Sequence, residues 1–353
     1  MGKLSKLRHA LEANNADAIL ITSPINRRYI SGFTGTAGAI LISKDAAQFI
    51  TDFRYTEQAK EQAKGFTVIE HQGSLVQEIK DQLNDLNIKH LAFEKEHVTY
   101  ATYELYKDAL DVELVPTQGI VEELRLIKTE HELNIMKKAA QIADQAFEHI
   151  LSYIKPGVKE IDIANELEFF MRQQGATSSS FDIIVASGYR SALPHGVASD
   201  KRIESGELVT LDYGALYNGY CSDTTRTVAV GEISDELKNI YKTVLEAQLC
   251  GIEGIKPGMT GKEADALTRN HIKDKGYGEY FGHSTGHGLG MEVHEGPSLS
   301  YRTERKLEPG MVVTVEPGIY IPDVGGCRIE DDIVITQTGN ERLTTANKQL
   351  IQL

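Results

Sequence analysis

The stretch LVTLDYGALYNGYCSDTTRTVAV, residues 208–230, decides the fold of the larger part of this chain. Two β-rich runs flank Asn218-Gly219, a pair suited to a two-residue hairpin because both central positions of that turn need positive φ. With Tyr217 facing Tyr220, paired residues have numbers summing to 437, so Asp212 faces Thr225 and Asp223 is its diagonal neighbour on the same face. Diagonal Cβ atoms across a hairpin lie about 7 Å apart. Two carboxylates therefore point the same way, with room for metal ions between them.

Further along, MVVTVEPGIYIPDVGGCRIEDDIVIT (311–336) repeats the arrangement with glutamates. Glu316 and Glu330 are equidistant from Asp323, so a symmetric turn there sets them opposite one another, although Pro317 and Gly325-Gly326 permit bulges. Between the hairpins lies HSTGHGLGMEVHEGP (283–297), with His283, His287 and His294. Gly286, Gly288 and Gly290 argue against a helix, since each costs about 1 kcal/mol relative to Ala there. The His-x-x-x-His spacing is therefore no zincin, which also needs a Glu where Ser284 stands. His287 reads as a ligand on an extended strand. A Pro194-His195-Gly196 turn precedes the first hairpin.

Four carboxylates on converging strands rich in Val, Ile and Leu repel one another, and without cations at least one is forced to protonate. Two divalent ions offset the four charges. Four carboxylates and an imidazole form a hard ligand set that favours Mn, Co or Fe over a thiolate-bound structural zinc. Such a metal pair lowers the pKa of a shared water and polarises a carbonyl, so amide or ester hydrolysis is the chemistry expected.

Working outward, residues 1–122 alternate strand-like runs (AILIT 18–22, AILIS 39–43, QFIT 48–51, FTVIE 66–70, HLAFE 90–94, VELV 112–115) with helical spacing near 4–13, 55–64, 74–86 and 99–109. This predicts a separate α/β domain. The glycines of SGFTGTAG do not form a dinucleotide fingerprint. A second domain, 123–353, is marked by a capping box at Thr129 and Glu132 that opens a long helix. IKPG occurs at 154–157 and again at 255–258, each copy flanked by helix-like stretches. Two copies of one unit imply a pseudo-symmetric α+β domain with a pocket between its halves.

The length of 353 residues fits two domains, and 41% hydrophobic with 25% charged residues is ordinary for a globular chain. A formal net charge of −14, with no Lys/Arg run longer than two, disfavours nucleic acid and anionic membrane partners. No run approaches the roughly 18 apolar residues of a membrane span, and the N-terminus lacks a signal-peptide core, so a cytoplasmic protein is expected. Cys221, Cys250 and Cys327 form no CxxC pair and no disulfide framework.

At these residues the chain resembles the pita-bread metallopeptidases (M24), in the prolidase and aminopeptidase P branch that cleaves Xaa-Pro bonds. The matching pieces are PHG (194–196), LDYG (211–214), SDTTRT (222–227), GHGLG (286–290), HEGP (294–297), VEPGIY (315–320) and RIEDD (328–332). The resemblance covers the whole chain and implies a creatinase-like α/β N-terminal domain before a pita-bread catalytic domain. It implies Asp212, Asp223, His287, Glu316 and Glu330 as ligands of two divalent metals, manganese first, with cobalt, iron or zinc as alternatives. His195, His283 and His294 match substrate-contacting histidines, and Glu316 matches a proton shuttle to the leaving proline nitrogen. Arg328 matches an arginine beside the metals, suited to grip a carboxylate bidentately. Short proline-containing peptides are the implied substrates and a homodimer the implied assembly.

The resemblance leans toward an Xaa-Pro aminopeptidase, with a dipeptidase as the alternative. Two remoter readings stand beside it. One is a non-catalytic binding protein on the same fold. The other is a cysteine hydrolase built on Cys327 beside Arg328, for which no neighbouring His in sequence supplies a base.

Overall fold

Apolar runs of four or five residues, too short for helices, build a six-stranded mixed sheet in the first part of the chain. Its spatial order is Thr67–Glu70, Ala47–Thr51, Ala39–Ser43, Ala18–Ile21, His90–Glu94 and Glu113–Thr117. The central strand Ala18–Ile21 is buried throughout, as a strand covered on both faces must be. It pairs antiparallel with Ala39–Ser43 and parallel with His90–Glu94. The computed structural model describes residues 2–353, and its contacts divide between Arg125 and Leu126 into two units.

Two local features depart from the expectations. The helix Pro24–Ser31 is not foreseen, because its polar NRRY centre offers no sustained apolar repeat. End chemistry defines it instead: Ser23 accepts from the Asn26 N–H, Pro24 occupies the first turn, and Gly32 closes it at φ +78°. The last strand runs to Thr117 through Pro116 rather than stopping at residue 115, and it can do so because it is an edge strand.

The second unit contains the helix pair Glu130–Ile150 and Glu160–Gln173 and the pair Asp235–Gly254 and Gly261–Asp274, with one IKPG segment inside each pair. Thr129 with Glu132 forms the expected capping box, and Thr260 with Glu263 forms a second one at the start of Gly261–Asp274. Ile142, Phe147 and Leu167 of the first pair pack on Val209, Leu211 and Val228 of the first hairpin. Ile240, Val244 and Ile272 of the second pair pack on Ile319, Cys327 and Ile329 of the second. This is the pseudo-symmetric α+β arrangement: helices outside, and two hairpins inside carrying the acids.

Both hairpin registers are those expected. Asp212 pairs with Thr225 and Tyr217 with Tyr220, and Asn218 (φ +49°) and Gly219 (φ +84°) make the turn. In the second hairpin Val315 pairs with Asp331 and Gly318 with Arg328, one register that sets Glu316 across from Glu330. His287 lies on the short strand Gly286–Gly288, not on a helix. A Cβ at Gly286 would sit 2.0 Å from the Thr314 carbonyl oxygen and one at Gly288 2.0 Å from that of Gly296, so the strand docks only without side chains there. No helix among the described residues is long and apolar enough to cross a membrane.

Candidate active site

The two hairpins and the His287 strand converge on a cavity of about 500 Å³ lined by Asp212, Asp223, His287, Glu316 and Glu330 together with His195, His283, His294 and Arg328. All nine residues singled out by sequence therefore meet in one place. Ligand atoms of Asp223, His287 and Glu330 lie within 4.8 Å of one another. Asp212 and Glu316 line the same cavity, with their carboxylates held by Arg328 and by the Thr314 hydroxyl (2.9 Å) respectively.

The protonation pattern at His287 bears on what this cluster can hold. Its Nδ1 lies 3.1 Å from the Gly288 carbonyl, which can only accept, so Nδ1 carries the proton. Burial lowers the ring pKa and keeps the imidazole neutral. Nε2 therefore presents a lone pair, and it points between Asp223 Oδ2 at 3.6 Å and Glu316 Oε1 at 3.3 Å. A lone pair facing two ionised carboxylate oxygens is repulsive unless a cation or a proton lies among them. A backbone-anchored imidazole of this kind is how metal-ligating histidines are fixed.

The carboxylates give the same indication. Burial, then repulsion from Glu330 and Asp212, drives Asp223 well above the usual carboxylate range. Burial, then repulsion from Glu316 and Asp212, does the same to Glu330, and burial raises Glu316. Asp223 Oδ1 is buried without a hydrogen-bond partner, a costly state for an acceptor that a positive ion relieves. The donor set, four hard oxygens and one imidazole, fits divalent metal.

Two expected substrate contacts are already engaged. His283 has Nδ1 2.8 Å from the Ser284 carbonyl and Nε2 2.8 Å from the Tyr320 hydroxyl. Arg328 gives Nη2 to Asp212, Nη1 to Tyr320 (2.7 Å) and Nε to Thr225 (3.1 Å). The guanidinium, only 4% exposed, is held by the acid and hydroxyls around it. His195 and His294 remain on the open side, and the His294 ring lies 4.3 Å from that of His287.

Four supporting residues carry no signal that sequence alone separates from ordinary strand polarity. Thr225 donates to Glu330 Oε2 (2.6 Å), and Thr314 donates to Glu316 while accepting the His287 N–H. Asp332 accepts the Asp223 N–H (2.9 Å), and Tyr320 links His283 to Arg328. Their one trace is position: each lies within the quoted motifs or the 311–336 stretch, in or beside strands that carry ligands.

Cys327 is fully buried, and burial pushes its thiol up to about 12, as it does that of Cys221. A thiol so raised supplies no thiolate at neutral pH. Iodoacetamide at pH 8 is expected to leave both unmodified in the native protein, with its activity unchanged and any label confined to half-buried Cys250. Peptide mass mapping checks this, and activity lost in step with labelling of Cys327 would restore the cysteine-hydrolase reading.

The chain matches the metallopeptidase family M24 over residues 134–337 and the creatinase/prolidase N-terminal domain over residues 3–127. A solved Xaa-Pro dipeptidase from Bacillus anthracis is 63% identical and superposes with a TM-score of 0.99 over 99% of both chains. An Xaa-Pro dipeptidase of Pyrococcus horikoshii is 45% identical across 99% of this chain and 98% of its own length. A solved X-Pro aminopeptidase from Thermotoga maritima is 43% identical with a TM-score of 0.92, covering 98% of this chain and all of its own. With the pita-bread architecture and the acid-lined cavity in place, the chain belongs to metallopeptidase family M24, in its prolidase and aminopeptidase P branch, and is a hydrolase.

Proposed function

We propose that the protein is a dinuclear, divalent-metal-dependent Xaa-Pro dipeptidase, with manganese the first choice of metal, working in the cytoplasm as a homodimer. The observation that carries the metal dependence is the convergence of the His287 lone pair and the buried acids on one cavity. Asp212, Asp223, His287, Glu316 and Glu330 would hold the ions. Bound metal would supply Lewis acidity, activating a water and polarising the scissile carbonyl.

The chain's own groups do the rest. Glu316 accepts the proton of the attacking water and returns it to the departing proline nitrogen, which as a tertiary amide has no proton of its own. His294 and His195, on the open side, hydrogen-bond the substrate. Phe181, Ile184, Val197 and Val293 form an apolar wall suited to a pyrrolidine ring.

The lean toward an aminopeptidase gives way to the alternative, because relatives at 63% and 45% identity bear the dipeptidase name, against the aminopeptidase name at 43%. With manganese added, alanyl-proline is expected to be cleaved with a kcat/KM at least about tenfold above that for alanyl-prolyl-alanine. Equal or reversed preference, measured by release of free amino acid, returns the aminopeptidase reading.

A further inference from the structure

His195 is carried by an irregular segment, and a loop this irregular needs something to hold its tip against the cavity. The segment leaves the strand Ile184–Ser187, passes through the short 3₁₀ turn Gly188–Ala192 and returns by Ser199. Both of its ends are bound to one side chain. Glu160 Oε1 accepts from the Ser187 N–H (2.8 Å) and hydroxyl (2.9 Å), and Oε2 accepts from the Ser199 N–H (3.2 Å) and hydroxyl (2.6 Å). Glu160 is fully buried and opens the helix Glu160–Gln173, where the helix end favours a negative charge.

A second side chain crosses the segment from inside. Arg190 pairs with Glu160 Oε2 through Nη1, and its Nη2 donates to the Val197 carbonyl at 2.9 Å. Val197 in turn donates its N–H to the His195 carbonyl at 2.8 Å, and Gly196 donates to that of Leu193 at 3.0 Å. A chain of charge-assisted contacts therefore runs from a fixed helix to Val197, two residues beyond His195, and the Val197 N–H carries it back to the His195 carbonyl. Pro194, His195 and Val197, the members of this segment that line the cavity, all lie between the two tethers.

We infer that Glu160 and Arg190 are positioning residues that hold the His195 segment against the cavity and so set how tightly the peptide substrate is bound. Neither side chain lines the cavity, so both act through His195 and Val197. The inference rests on the proposed contact between His195 and substrate. A contact made in both the bound and the reacting state governs KM more than kcat, and small displacements of such a group are costly.

The test uses the manganese-loaded full chain and alanyl-proline. Glu160→Gln changes a fully buried side chain, leaves the half-buried Arg190 guanidinium without its counter-charge and can impair folding, so Arg190→Lys is the main variant: it keeps a cation beside Glu160 but lacks the second arm that reaches Val197. KM is expected to rise about tenfold with kcat within about threefold of wild type, the pattern of lost binding contacts. Hydrogen exchange of the amides of 193–198 should quicken about tenfold, while those of Glu207–Tyr213 and Thr224–Val230 keep wild-type rates. Unchanged exchange at 193–198, or exchange raised equally throughout residues 126–353, overturns the clamp. So does unchanged KM in Arg190→Lys when His195→Ala raises KM. Exchange tests the clamp independently of substrate, whereas failure of the wild type to cleave alanyl-proline tells against the proposed function.

Discussion

Removing divalent metal with a chelator is expected to abolish peptide hydrolysis, and the metal-free protein should then be stabilised by substituting one of its own proposed ligands. The reason is electrostatic. Asp223, Glu316 and Glu330 are each raised in pKa by burial, and repulsion from neighbouring acids adds to this at Asp223 and Glu330. With metal present their charges are offset; without it they oppose the folded state. Glu330→Gln removes one negative charge while its amide oxygen can still accept from the Thr225 hydroxyl, now 2.6 Å from Oε2. The metal-free variant should melt about 2–4 °C above metal-free wild type, the shift that roughly 1 kcal/mol gives a unit of this size. Its gain in melting temperature on adding manganese should be smaller than that of wild type. Calorimetry of both proteins with and without manganese checks this. Full activity in chelator, or a metal-free Glu330→Gln that melts below wild type, removes the electroneutrality argument.

That argument was legible because the acids lie on strands of period two with strong turn signals. Asn218-Gly219 fixes one register, and the symmetric placement of Glu316 and Glu330 about Asp323 fixes the other. A one-residue slip would turn every acid to the opposite face. Glycine also spoke clearly: Gly286 and Gly288 excluded a helix, and both prove to lie against neighbouring backbone. The helix Pro24–Ser31 was not legible, since eight residues with a polar middle carry little periodic signal and caps alone define them.

Which donors are already committed was less legible still. Arg328 and Asp212 lie 116 residues apart, and nothing near either one announces the pair. The family resemblance set Arg328 beside the metals, but that Tyr320, Thr225 and Asp212 all reach it is decided by tertiary contact. His283 follows the same logic, tied at both ring nitrogens. Residue type told what could act; only tertiary contacts told what was free to act. This leaves His195 and His294 as the exposed histidines of the cavity.

Glu316→Gln is expected to lower kcat by about 10²- to 10⁴-fold, the usual weight of a positioned general base and acid, with little change in KM. The side chain is set for proton transfer by its surroundings. Its backbone N–H donates to the Thr285 carbonyl (2.8 Å), and its Oε1 accepts from the Thr314 hydroxyl (2.9 Å), which in turn accepts the His287 N–H. Burial raises its pKa from the usual carboxylate value. Glutamine preserves the shape and the acceptor for Thr314 but cannot carry that proton, so loss of rate with the fold intact isolates the transfer step. Because Glu316 is also a proposed ligand, metal content by mass spectrometry must accompany the kinetics. A Gln variant holding metal at wild-type stoichiometry and turning over at the wild-type rate would end the shuttle role. A variant that loses metal but recovers full rate when manganese is raised would confine Glu316 to ligation, because saturating metal cannot restore a missing proton carrier.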